Sequence, residues 1–499
     1  MKTLIKNIRQ IAGITGEGVL RKTGAEMSET GTLDNAWILI DNDRIAGFGT
    51  MENIPGTEAL TVIDAEGGMV IPAFCDSHTH IVFAGTRERE FLDKIEGRSY
   101  AEIAANGGGI LNSADLLHRT SEEELYRQAI ERVDEMVSKG TGAIEIKSGY
   151  GLSTEDELKI LRVIRRIKET SPAIIRATFL GAHAVGRAFA GRQNEYVDYV
   201  CREMIPAVAA GDGGAPLADF IDVFCEEGFF TVEQTDRILS EGERYGMRVK
   251  LHANQLAVSG GVQVGVRHNA LSVDHLESTT DAEITALGGV PGLNAVSLAN
   301  VSRDGKVSGT DGHADGLPDG NTAVHTPDIQ AEHSSARTTG HTADIPDACT
   351  DDIRKVPHPS VTMPTMLPGA SFFLRMQYGR ALDFINSGLG LALASDYNPG
   401  SSPCGDMRFI MALGCIQMRL TPVQSLNACT LNAAYAMGVS DIAGSVTPGK
   451  LANLIITKPV PSLTWIPYCH HTPFISKVLL RGRVVAENSG QQSPQLPHR

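Results

Sequence analysis

Hydrophobic and polar positions follow two rhythms along the chain. Near the N-terminus the period is two. "AWILI", a polar turn at Asp41–Asp43 and "RIAGFG" make the pattern of a β-hairpin. Residues 1–66 read as short strands and turns, and "GSVTPGKLANLIITK" and "ISKVLLRGRVVAEN" within 435–488 look similar. Two β-rich ends around a different middle predict a small β-sandwich domain built from both chain ends. Residues 489–499 read as a flexible tail.

The middle, 67–434, alternates strand and helix. "AIEIK" (143–147), "IIRATFLGAH" (174–183), "VKLHAN" (249–254), "LSVDH" (271–275) and "LALASD" (391–396) are apolar runs of buried-strand length. Helical patterns separate them. One starts at Ser121 with Glu124 as a capping box, carries Leu125, Ala129, Val133 and Met136 on one face, and stops at Gly140. Another starts at Thr154 with Glu157 and carries Leu158, Leu161 and Ile164. Repeated βα units of this kind predict an α/β fold, a TIM-type (β/α)8 barrel.

From 290 to 360 the rhythm fails. The segment is rich in Gly, Asp, Ser, Thr and His and holds no Phe, Tyr or Trp. It buries too little apolar surface to offset its ordering entropy, which predicts a disordered insertion within the barrel. It lies between the helix-like "DAEITALGG" and the strand-like "VTMPTML". As an αβ connection it is expected on the face away from the active site, and to be dispensable for chemistry. Its five histidines lack ligand-like spacing, which argues for a solvated loop rather than a metal store.

Composition narrows the function classes. A formal net charge of −15 over 499 residues disfavours nucleic acid or an anionic membrane as partner. An anionic small molecule needs a local cationic residue. No apolar run is long enough to span a bilayer, and "MKTLIKNIRQ" lacks a signal-peptide core. Eight scattered cysteines without a CxxC pair suit reduced thiols, hence a cytoplasmic setting.

Candidate chemistry begins at "CDSHTH", where His78 and His80 sit at i and i+2 at a strand end. Residues two apart share a face of a strand, so both rings can meet one cation. The alternative is a polar strand end with two unrelated histidines. Four further strands carry His183, His252, His275 or Asp396 at or near their ends. Barrel enzymes draw catalytic side chains from the C-terminal ends of different strands.

An HxH pair followed by lone His and Asp residues on later strands resembles the amidohydrolase superfamily. The stretches "DSHTHIVFAGTREREF", "GGGI", "IEIKSGYGL", "TFLGAHAV", "DVFCE", "HANQL", "DHLE", "LPGASFFLR" and "SDYNPGSSP" narrow the resemblance to its imidazolonepropionase family. This resemblance implies that His78, His80, His252 and Asp396 hold one Zn²⁺ or Fe³⁺ per chain. It implies hydrolysis of the ring amide of 4-imidazolone-5-propanoate to N-formimidoyl-L-glutamate, in the degradation of histidine. Arg87 would clamp the propionate of this small anionic substrate. Tyr150, His183 and Gln255 would contact it, and Asn398, Gly400 and Ser401 would line the far side. His183 or His275 would stabilise the oxyanion, with His275 and Asp396 as candidates for moving the proton. Gln255 follows His252 by three, and an amide cannot be a base. A homodimer is compatible with this reading.

Four positions depart from the family pattern: Ile81, Gly186, Asn254 and Asn453. They touch loop geometry rather than the ligand set. Lys147 invites a two-metal, carbamylated-lysine reading, against which stands a structural ion pair. The rival functions are a base deaminase with the same ligands and a non-catalytic barrel scaffold.

Overall fold

A computed structural model describes residues 2–56, 60–98, 108–289 and 361–488. The expected insertion at 290–360 and tail at 489–499 lie outside the described residues.

Both chain ends enter one mixed sheet. Its N-terminal strands are β1 (Lys2–Ile14), β2 (Gly31–Asp41), β3 (Arg44–Thr50), β4 (Thr61–Asp64) and β5 (Met69–Pro72). The hairpin is where the period-two pattern puts it: β2 and β3 pair antiparallel, with Asp41 opposite Arg44. Ala36, Ile38 and Ile40 are buried while Trp37 and Leu39 are half-exposed, as alternation requires.

The barrel follows. Its strands are β6 (Phe74–Thr79), β7 (Thr141–Lys147), β8 (Ile174–Ala182), β9 (Phe220–Cys225), β10 (Arg248–Ala253), β11 (Ser272–His275), β12 (Met363–Met366) and β13 (Ala392–Leu393). They pair in sequence order, all parallel. A parallel bridge between Thr79 and Tyr397 joins the two ends. Asp396 N–H donates to His78 O (3.0 Å) and His80 N–H donates to Tyr397 O (2.9 Å). The closure thus runs through the candidate ligands themselves. The chain then returns to the first sheet as β14 (Leu454–Thr457), β15 (Ile475–Leu480) and β16 (Arg483–Glu487), β14 pairing with β5. Ile5, Ile11, Ile38, Val70, Leu454 and Leu479 share a buried cluster inside this sheet.

The helix Glu122–Ser138 buries Leu125, Ala129, Val133 and Met136, the stripe expected. Its cap is half of a capping box. Ser121 accepts from Glu124 N–H, but the Glu124 carboxylate turns outward to Arg127 and Gln128. The next helix, Thr154–Thr170, is capped by Ser153, one residue before the expected Thr154. Glu157 is needed elsewhere. Its carboxylate accepts the N–H groups of Gly149 (3.0 Å), Gly151 (2.7 Å) and Leu152 (2.9 Å), folding the "SGYGL" turn that carries Tyr150.

Asn432 ties the N-terminal segment to the barrel. Fully buried, it accepts from Lys22 N–H (2.8 Å) and donates to Lys22 O (2.9 Å) and Leu391 O (3.0 Å). Asn432→Ala leaves these buried backbone groups unpaired, at a cost of about 2–3 kcal/mol. A thermal melt is expected to show a midpoint several degrees lower. An unchanged midpoint would mean that the tether contributes nothing.

Candidate active site

The candidate ligands converge at the C-terminal mouth of the barrel. His78 lies on β6, His80 just beyond it, His252 on β10 and Asp396 beyond β13. His80 Nε2 is 3.3 Å from His78 Nε2 and 3.4 Å from His252 Nε2. Asp396 Oδ1 is 3.6 Å from the Nε2 atoms of both His78 and His80. All four residues are buried.

Two of the three rings are turned by carboxylates behind them. His78 Nδ1 meets Asp274 Oδ2 at 2.6 Å, and His252 Nδ1 meets Asp222 Oδ2 at 2.9 Å. A carboxylate can only accept, so each Nδ1 carries the proton and each Nε2 presents a lone pair inward. Beneath them lies a fully buried ionic cluster. Lys147 Nζ is 2.6 Å from Glu145, 2.8 Å from Asp222 and 3.7 Å from Asp274. Lys250 pairs with Glu145 and donates to Ser77 O at 3.0 Å.

Burial is the leading influence on all the rings. It holds His78 and His80 well below the ordinary imidazole value, lowers His252 to about 4 and lowers His183 to about 3. Burial also raises Asp396 to about 6, against the pull of His275. His275 goes the other way: burial opposes its charge, yet Glu277 and Asp396 outweigh that and raise its pKa.

This donor set fits a cation. Two inward lone pairs, on His78 and His252, lie near His80 Nε2, which can offer one proton to one of them at most. An electron-pair acceptor at the centre removes the conflict. Three imidazoles and a carboxylate suit a divalent transition metal.

The cluster opens into a cavity of about 370 Å³. Tyr150, His183, Gln255, His275, Asn398, Gly400 and Ser401 line it, with Arg87 and the apolar Phe224, Phe229 and Phe373. Arg87 gives Nε–H to Glu90 at 3.0 Å. A Cβ on Gly400 would lie 2.3 Å from the Arg87 guanidinium carbon. The glycine therefore admits the arginine, as well as any ligand, to this wall.

The amidohydrolase family model matches residues 69–485. The imidazolonepropionase of Flavobacterium johnsoniae is 43% identical over 485 residues, spanning 97% of this chain and 100% of that one. The chain belongs to the amidohydrolase family. The imidazolonepropionases of Christiangramia forsetii (41%, again 97% and 100%) and Geobacillus kaustophilus (32%, 97% and 98%) are further relatives. Among solved structures, Escherichia coli guanine deaminase aligns with a TM-score of 0.62 at 12% identity, over 98% of this chain and 99% of that one. A triazine hydrolase from Arthrobacter aurescens gives 0.61 at 13%, over 98% and 95%. Those two likenesses are of fold.

In this amidohydrolase every site residue expected from the sequence reaches one cavity or the cluster of ligand-type side chains at its floor. Lys147 is an ion-paired ammonium wholly engaged by carboxylates, so the carbamylated reading has no support in the geometry. The departures are accommodated locally. Asn254 takes a left-handed backbone (φ 59°) and its side chain braces Ser259 and Ser278. Asn453 accepts from Arg481 N–H at 2.8 Å.

Several contributors were not singled out from sequence. Asp222 and Asp274 sit inside "DVFCE" and "DHLE", and an acid within an otherwise apolar strand was the available signal. Glu226 holds the turn carrying Gln255, accepting the N–H groups of Gln255 (2.8 Å) and Leu256 (3.0 Å). Lys94, Arg98 and Arg375 also line the cavity, but in sequence they look like ordinary surface charges.

A cation on these four ligands competes with protons mainly at Asp396. Below about pH 6 its carboxyl is protonated and cannot ligate, whereas the imidazoles are already neutral. Zinc affinity of the metal-free protein is therefore expected to fall about tenfold per unit below that pH, and to steepen only near the His252 value. Calorimetric titration across this range measures the slope. Loss of two or more protons' worth of affinity between about pH 7 and 6 would show that the rings titrate normally.

Proposed function

We propose that the chain hydrolyses the cyclic amide C–N bond of 4-imidazolone-5-propanoate, giving N-formimidoyl-L-glutamate in the breakdown of histidine to glutamate. One observation carries the reading. In a chain akin to imidazolonepropionases along its whole length, a ligand cluster shares its cavity with a guanidinium suited to a carboxylate. Free thiols on all seven described cysteines agree with a cytoplasmic enzyme.

A zinc or iron ion held by His78, His80, His252 and Asp396 would supply a Lewis acid and lower the pKa of a water beside it. The other roles fall to the chain. Arg87, held by Glu90 and Gly400, takes the propionate in a bidentate fork. Tyr150, Gln255, Asn398 and Ser401 border the ring. His183 gives its Nδ1–H to Gly149 O at 3.0 Å, so its Nε2 is an acceptor suited to a ring N–H. His275 becomes a donor toward the oxyanion once its Nε2 has taken the water proton. The water oxygen adds to the ring carbonyl carbon, the ring C–N bond breaks, and the water proton passes through His275 or Asp396 to the leaving nitrogen.

Purified protein is expected to consume imidazolone propionate, seen as loss of its ultraviolet absorbance, without releasing ammonia. No turnover of this compound, together with ammonia release from a nucleobase, would favour a deaminase.

Arg87→Ala removes a charge-assisted contact worth about 1.5–3 kcal/mol, which is roughly 10- to 100-fold in kcat/KM. Arg87→Lys recovers only part, lacking the planar fork. Gly400→Ala displaces the guanidinium and is expected to raise KM with metal content intact. Unchanged kinetics in Arg87→Ala would move the carboxylate site elsewhere.

A further inference from the structure

Glu277 is a carboxylate that the proposed reaction does not yet use. It is 2% exposed, two residues beyond His275. One oxygen, Oε1, accepts from Ser371 Oγ at 3.3 Å. The other, Oε2, is buried and has no hydrogen-bond partner among the described residues. The same holds for His275 Nδ1, and the two atoms face each other at 3.4 Å. A buried carboxylate with an empty oxygen is costly, and so is a buried ring nitrogen without a partner. Each is the other's nearest remedy.

The backbone supports a purpose for this pairing. His275 and Leu276 both take positive φ, 85° and 65°. Two consecutive non-glycine residues in that region are strained and persist where the surroundings hold them. The turn brings the Glu277 side chain back beside the His275 ring.

The pairing also completes a pattern. Among the rings at the floor, His78 has Asp274 behind Nδ1 at 2.6 Å and His252 has Asp222 at 2.9 Å. His275, whose ring lies 5.2 Å from that of His252, has Glu277. The first two carboxylates turn ligands. The third turns a ring that is not among the four ligands. Glu277 further joins His275 to the cavity wall. Ser371 lies on the helix Pro368–Leu374, and Gln377 Nε2 donates to Glu277 O at 3.0 Å. Phe373, Leu374, Arg375 and Met376, between those two contacts, line the cavity.

We infer that Glu277 is a positioning residue for the hydrolysis: it accepts from His275 Nδ1–H, fixes the tautomer, and presents Nε2 to the reacting atoms. This rests on the reading of His275 as a proton-handling residue. Glu277 acts on the reaction through the His275 ring. The logic is that of a carboxylate holding a catalytic imidazole.

Glu277→Gln keeps the shape and removes the charge. The full-length, metal-loaded variant is expected to lose about 10- to 100-fold in kcat, with KM and metal stoichiometry unchanged. In a His275→Asn background the same substitution is expected to change residual kcat by less than about twofold, because the two residues act as one unit. Wild-type kcat in Glu277→Gln, or an equal loss in both backgrounds, overturns the inference. If Glu277→Gln does not fold, Glu277→Asp serves in the same cycle, and additivity with His275→Asn overturns the inference equally. Full activity in His275→Asn alone is a different failure, that of the role given to His275.

Discussion

The Lys147 ammonium, sealed under the mouth of the barrel, is the charge on which the arrangement of the site depends. It contacts Glu145 and Asp222 directly and lies 3.7 Å from Asp274. Asp222 and Asp274 are the groups that turn His252 and His78. One cation thus holds both carboxylates that orient candidate ligands. Burial alone would push Asp222 toward its neutral form, but His252 and Lys147 outweigh it and keep the pKa far below the usual carboxylate range. Lys250 completes the cluster and joins β6, β10 and the helix Leu431–Ala436 through Ser77 O and Ala436 O. With two cations against three carboxylates, removing either lysine strands charge in a dry interior. Breaking a buried pair of this kind costs about 3–5 kcal/mol.

The consequence is a floor set before any ligand arrives. His78 and His252, held from behind, cannot rotate to relieve the crowding of their Nε2 atoms against His80. The crowding is itself the affinity for a cation. Backbone strain gathers at the same level: Asn254, His275, Leu276 and Asp396, all at or just past strand ends, take positive φ. The apolar core below over-determines these positions, which lets the mouth hold conformations that isolated residues avoid. Above the floor the walls differ in kind. Glu157, Glu226 and Asn398 each gather backbone N–H groups to shape one loop, whereas Arg87 is set by the missing side chain of Gly400.

Much of this was legible in the sequence because it follows from periodicity. Strand ends at His183, His252 and His275 emerge from apolar runs, and a ring at the end of a buried strand must face the barrel mouth. Resemblance to known amidohydrolases supplied the ligand set, Arg87 and the reaction. What stayed illegible depends on partners far apart in the chain. Asp222 reads as a lone polar residue until β9 lies beside β10. Glu157 fits a capping box on local spacing, and only the fold shows that the "SGYGL" turn claims it. Glu277 hides in "DHLE" because its meaning lies in a turn that no hydropathy pattern reveals. β13 is two residues long, since Ser395 and Asp396 leave the strand to close the barrel onto β6.

X-ray absorption spectroscopy on metal-loaded protein tests the central claim, that one cation is held by three rings, two of them turned from behind. The expected spectrum has three imidazoles and one carboxylate oxygen around a single metal, with strong outer-shell scattering from ordered rings. A metal–metal vector, or fewer than three imidazoles, would contradict it.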